Sequence, residues 1–139
     1  MKIVVTENSY AGPRDFDIIP AMDTMEVERA ASLSPDVTVF RLKGPFVLGT
    51  MFEFQAMLRE SGLQGVIVDL SEVPYIDSAG LGVLLGHWSH TQRRGFKFAL
   101  IGMSARVHTI FEITHTDTVL PIFATQTDAE ASMSKATAA

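Results

Sequence analysis

The sequence predicts an α/β fold: a mixed β-sheet of about four to six strands flanked by about four helices. Three observations predict it. Two segments between residues 24 and 42 alternate apolar and polar residues, as the strands of a hairpin do. Two later runs, Val66-Ile67-Val68 and residues 96–101, are almost continuously apolar, the mark of strands buried on both faces. Around them stand segments with apolar residues at helical spacing and capping residues at their starts.

Taken in order, residues 1–23 read as an extension packed on the domain. Ile3-Val4-Val5 is a short strand candidate, Asn8-Ser9-Tyr10-Ala11-Gly12-Pro13 is turn chemistry, and the apolar stretch 16–19 ends at Pro20. Met25-Glu26-Val27-Glu28 and Val37-Thr38-Val39-Phe40-Arg41-Leu42 form the expected hairpin around Ser34-Pro35-Asp36, closed off by Gly44-Pro45. Thr50 is placed to cap a first helix with Met51, Phe54, Met57 and Leu58 on one face and Gly62 as its stop. The buried strand at 66–68 ends at Asp69, and residues 71–76 form a loop to a second helix opening near Asp77-Ser78. Leu81, Leu84, Leu85 and Trp88 recur on that helix, and Arg93-Arg94-Gly95 ends it. Ser104 caps a third helix with Val107, Ile110 and Phe111 inward, and residues 120–123 give a last strand. Thr127 with Glu130 three residues on is a capping box opening a C-terminal helix. The domain proper is expected over residues 24–133, with 134–139 a frayed tail.

The length of 139 residues suits one domain, and 47% hydrophobic residues supply its core. A net charge of −5, from 11 basic and 16 acidic residues, and the lack of a Lys/Arg run argue against nucleic acid as a partner. No cysteine is present, which removes disulfides and thiolate metal sites. The N-terminal apolar stretch is too short for a signal-peptide core, and no run approaches the ~20 apolar residues of a membrane span. The expectation is a cytoplasmic protein without cofactor, metal or membrane contact. His87 and His90, at i and i+3, read as a polar helix face, and His108 and His115 likewise lack a clear third metal ligand. A serine hydrolase needs Gly-x-Ser-x-Gly, but Ile76 stands where the first glycine belongs. There is no Walker-type or Rossmann fingerprint, so an enzyme is not expected.

The informative segment is 66–86, VIVDLSEVPYIDSAGLGVLLG. Gly80, Gly82 and Gly86 together disfavour a helix by roughly 3 kcal/mol relative to alanine. Close backbone packing, or a surface that a partner's backbone approaches, would offset this. Ser78 sits where an N-cap sits, and on residue chemistry alone the cap is the simpler reading. The competing reading is a phospho-acceptor, since a phosphoryl group at a helix N-terminus meets free N–H groups and adds about −1.5 to −2 charges to a docking surface. An exposed Phe52 near Phe46 and Leu48 would belong to a contact patch.

The run Ile76-Asp77-Ser78-Ala79-Gly80-Leu81-Gly82-Val83-Leu84-Leu85-Gly86 resembles the STAS domains of bacterial anti-sigma factor antagonists, and the resemblance extends over residues 24–133. It implies a STAS-like (SpoIIAA-like) fold and a role in transcription regulation through protein binding. By the same resemblance Ser78 is the residue phosphorylated by a serine kinase that is itself the anti-sigma factor. The unphosphorylated form would bind that kinase, and a serine phosphatase would restore it. The implied partner surface comprises Asp77, Ser78, Ala79, Gly80, Leu81 and Gly82, with Gly44, Pro45 and Phe46 beside it. One position departs from the family: Val47 stands where these antagonists usually carry an aspartate. That departure keeps open a second role, a STAS scaffold or assembly module used without phosphorylation in a signalling or transport-related complex. Whether the protein forms a homodimer is left open by the sequence.

Overall fold

A computed structural model describes residues 2–6, 24–60 and 63–138. Six strands form one sheet in sequential order: β1 (Lys2–Thr6), β2 (Thr24–Ala30), β3 (Val37–Lys43), β4 (Gly65–Glu72), β5 (Lys97–Ile101) and β6 (Ile122–Phe123). The first three are antiparallel neighbours, and β3 through β6 run parallel. The expected hairpin is the β2–β3 pair, with Val27 opposite Leu42. The strand candidate at 3–5 lies in β1 on the sheet edge, with Ile3 opposite Val27. The turn at 8–13, the apolar stretch 16–19 and the Gly62 stop fall outside the described residues.

Sequential order in a parallel sheet puts every crossover helix on one face, because each crossover takes the same hand. Those helices are α1 (Met51–Leu58), α2 (Ser78–Arg94) and α3 (Ala105–Ile113). Phe54, Met57, Leu81, Leu84, Val107 and Phe111 meet Val66, Val68 and Leu70 in the main core. After β6 the chain turns to the other face. There α4 (Gln126–Ala138) lays Ala129 and Met133 on Val39, Ile67, Ala99 and Ile101. Strand β4 therefore buries Val68 on one side and Ile67 on the other, which is why its run reads as continuous rather than alternating.

Two local expectations need correction. The helix α4 opens two residues earlier than Thr127 predicts. Thr125 Oγ accepts from the Asp128 amide at 3.1 Å, and Glu130 does not close a capping box. Instead Glu130 takes the Leu33 amide at 3.1 Å and the Ser32 hydroxyl at 3.2 Å, tying α4 to the turn between β2 and β3. His87 is likewise not on a plain polar face. Its ring stands edge-on to buried Phe98, at 5.0 Å and 69°. Burial, with His90 a smaller contributor, lowers its pKa from the usual 6.5 to about 4.

The unfolded chain therefore takes up this proton from about pH 6.5, whereas the folded one resists until about pH 4. Between those values the unfolded state binds more protons, so this part of the stability is complete above 6.5 and is lost as the pH falls. Melting temperatures of the wild type and His87→Leu, followed from pH 7 to 4, should show the steeper acid decline in the wild type. Parallel curves would remove His87 from the account.

Candidate functional site

Parallel strands end on one side of the sheet, and the loops that follow them form the surface there. The loop 44–50 after β3 and the loop 73–77 after β4 are joined edge to edge. Phe46 N–H donates to Tyr75 O at 3.1 Å, and Phe46 pairs with Ile76 in an isolated parallel bridge. The Phe46 ring is fully buried and packs edge-on against Phe54, 5.6 Å between centroids, so it anchors the loop from below. Gly44 has φ of +121°, and a Cβ there would stand 2.3 Å from Thr24 O, so only glycine lets the chain leave β3 this way.

Thr50 precedes α1 as expected, but its hydroxyl does not cap the helix. It is fully buried, donates to Pro45 O at 2.8 Å and accepts from Val47 N at 3.1 Å, closing the loop on itself. The cap of α2 is also shifted by one residue from the position read in sequence. Asp77, not Ser78, is the N-cap: its Oδ1 accepts from Gly80 N at 2.9 Å. Its Oδ2 accepts from Leu48 N at 3.1 Å, so one carboxylate holds both the helix start and the loop from β3. Asp77→Ala removes both bonds, and a loss of about 1–2 kcal/mol is expected in urea denaturation. Asp77→Asn, whose single amide oxygen can accept only one of the two bonds, should lose less than Asp77→Ala but not match the wild type.

With the cap supplied by its neighbour, Ser78 is the first residue of α2, exposed, and its hydroxyl bonds to none of the described residues. Its amide and that of Ala79 belong to the first turn, whose N–H groups lack helical acceptors. Among the described residues no histidine or carboxylate bonds to the Ser78 hydroxyl. Asp77 and Ala79 are half-buried, as are Gly44 and Pro45. Gly80 and Leu81 are buried. Phe46, Gly80 and Leu81 therefore shape the surface from beneath, while Ser78 and Gly82 lie on it.

The three glycines of α2 have two different reasons. A Cβ on Gly80 would stand 2.3 Å from Phe46 O and 2.9 Å from Ile76 Cγ1, so loop and helix touch only because the residue is glycine. Gly82 and Gly86 are exposed, and a Cβ on either would meet nothing within 4 Å. Internal packing does not account for them.

Large apolar side chains are exposed on the two loops and on the start of α1. Leu48 is 57% exposed, Phe52 58% and Tyr75 37%, whereas Phe46, expected beside them, is buried. Tyr75 was not singled out by sequence, although an aromatic in a Pro-Tyr loop next to the motif was a usable signal. The guanidinium of Arg106 stands 5.8 Å over its ring. Among the described residues, the set of three potential metal donors is His108, Glu112 and Asp117, with ligand atoms within 4.8 Å of one another. Glu112 is exposed and the others are half-buried, an ordinary surface arrangement. No helix of the described residues is long and apolar enough to cross a membrane.

Comparison with known proteins agrees with this geometry. The profile of the STAS domain family matches residues 28–129. An anti-sigma-B factor antagonist of Listeria monocytogenes is 38% identical over 61 residues, 42% of this chain and 54% of that protein. The chain thus aligns with about half the length of the curated relatives it matches. Among solved structures, an anti-sigma-factor antagonist (STAS) domain protein from Planctomyces limnophilus superposes with a TM-score of 0.64 at 21% identity, covering 78% of this chain and 97% of that one. The Bacillus cell fate determinant SpoIIAA in its phosphorylated form gives a TM-score of 0.61 at 16% identity, covering 77% and 98%. At these identities the solved structures establish a shared fold.

Proposed function

The chain belongs to the STAS domain family, and from that premise we propose that it is an anti-sigma factor antagonist, a binding module switched by phosphorylation of Ser78. One observation carries the reading. Asp77 caps α2, which leaves Ser78 exposed at the positive end of the helix with its hydroxyl unengaged. A serine needed for capping would be a poor switch, because modification would break the fold it supports.

The partner is an anti-sigma factor with serine kinase activity. In the forward step the Ser78 oxygen bonds to the γ-phosphorus of ATP, the bond to the β-phosphate oxygen breaks, and ADP leaves. The hydroxyl proton passes to a base on the kinase. A phosphatase reverses the state with water as nucleophile and inorganic phosphate as product. The partner docks over Ser78, the exposed side chains Leu48, Phe52 and Tyr75, and the bare helix surface at Gly82. Supporting this are the name of the Listeria relative and the existence of a fold neighbour in phosphorylated form.

A second reading, a scaffold that uses the same surface unmodified, is favoured by Val47, since an uncharged residue replaces the family's usual aspartate beside the switch. Incubation with the kinase and ATP, followed by intact-mass spectrometry and site mapping, separates the two. One added phosphoryl group on Ser78, absent in Ser78→Ala, is the expected result. An unmodified protein that still binds the kinase would establish the scaffold instead.

A further inference from the structure

We infer that the groove between α1 and α2 is a binding site for a small carboxylate with an apolar body. The groove encloses about 660 Å³, within the range of small-molecule sites. Leu58 and Leu63 form one wall, Val83 and Phe96 the other, and Gly82 with Gly86 leave the α2 side open. Glycines at these two positions weaken the helix without any internal packing gain, and a ligand lying against the backbone there accounts for them.

The polar groups of the groove set the ligand's charge. Arg94 and His90 project from consecutive turns of α2, and Arg59 comes from the end of α1. The lining holds one acid, Glu60, and it is already ion-paired with Arg29. The guanidinium groups of Arg59 and Arg94 therefore face the groove without a matching anion in its lining, and with the His90 ring as a further hydrogen-bonding group they suit a carboxylate. His87 adds an independent sign: its Nε2 is shut off from water and has no hydrogen-bond partner. An unpaired buried nitrogen is costly, and a ligand that lets the ring turn toward it would relieve the cost.

The larger groove, about 790 Å³ beneath α4, lacks these signs. Its buried acid, Glu130, is fully occupied by Ser32, Leu33 and Gln126.

The test uses indole-3-acetate as the carboxylate probe and indole-3-acetamide as its neutral counterpart, titrated into the ¹⁵N-labelled protein. Saturable shifts are expected at the amides of Gly82, Gly86, His90 and Phe96, with the neutral compound at least about tenfold weaker. A double change of His90→Gln and Arg94→Gln should weaken the acetate by about the same factor. A Cβ at position 86 meets nothing within 4 Å, so Gly86→Leu should fold, fill the groove with its longer side chain and abolish the shifts. Absence of saturable shifts, equal binding of the neutral compound, or full binding by Gly86→Leu would each overturn the assignment. Gly82 also borders the proposed docking surface, but the Gly86, His90 and Phe96 readouts do not, and the titration contains no kinase.

Discussion

Ser78→Asp is expected to weaken binding of the anti-sigma factor kinase by at least about a hundredfold while shifting stability by less than about 1 kcal/mol. The two halves of this expectation have separate causes. On the free protein, an acid at the first position of α2 faces the positive end of the helix, an interaction that stabilises by about 0.3–1 kcal/mol. Repulsion from Asp77 opposes it, but Asp77 is held by the amides of Gly80 and Leu48 and has no need to move. In the complex the new carboxylate would be taken out of water beside the exposed apolar side chains Leu48, Phe52 and Tyr75, with no side chain of a described residue bonded to the Ser78 position. Desolvating an unpaired charge costs several kcal/mol, more than the hundredfold loss requires. Titration calorimetry of the kinase against both proteins, with thermal melts of each, measures the two halves together. Ser78→Ala serves as the control and should bind and melt like the wild type, since Asp77 carries the cap. Equal affinity of Ser78→Asp and wild type would sink the switch.

Much of the architecture was legible because short-range rules governed it. The alternation at 24–42 gave the hairpin, the continuous run at 66–68 gave a doubly buried strand, and Ser104 caps α3 as read, its Oγ accepting from Val107 N at 3.2 Å. Two of the misreadings occur where two suitable residues stand close in sequence and distant contacts choose between them. Asp77 and Ser78 are both good caps. Leu48, 29 positions away in sequence, supplies the second donor that fixes the aspartate in that role. Thr125 and Thr127 compete in the same way. Glu130, which would complete the box with Thr127, is drawn off to residues 32 and 33 across the sheet. Phe46 reads as a surface residue of a Gly-Pro loop, yet the edge-on contact with Phe54 draws it into the core. The proposal of Ser78 as phospho-acceptor was raised by residue chemistry and favoured only through family resemblance, whereas the cap by Asp77 that leaves its hydroxyl free needed coordinates.

The glycines show the same limit, and they supply the other large expected effect. Gly80, Gly82 and Gly86 are indistinguishable by propensity, each weakening a helix by about 1 kcal/mol relative to alanine. Gly80→Ala should nevertheless destabilise the protein by about 2–4 kcal/mol, whereas Gly86→Ala should stabilise it by about 0.5–1 kcal/mol. The methyl group at position 80 would sit 2.3 Å from the Phe46 carbonyl oxygen, a backbone atom that cannot rotate away. To make room, the start of α2 must lift from the loop, opening the Phe46–Ile76 bridge and the bond from Asp77 N–H to Phe46 O. The clamp of Asp77 on Leu48 spans the same gap and would go with them. The helical gain of alanine is too small to compensate. Urea denaturation of the two variants beside the wild type tests the opposite signs directly. Lifting α2 also moves Ser78 relative to Leu48 and Phe52, so Gly80→Ala should be a poor substrate for the kinase even under conditions where it is fully folded. If instead Gly80→Ala were as stable as Gly86→Ala, loop and helix would not be held in contact by that glycine. Its role, like that of Gly82, would then lie in what docks on the outside.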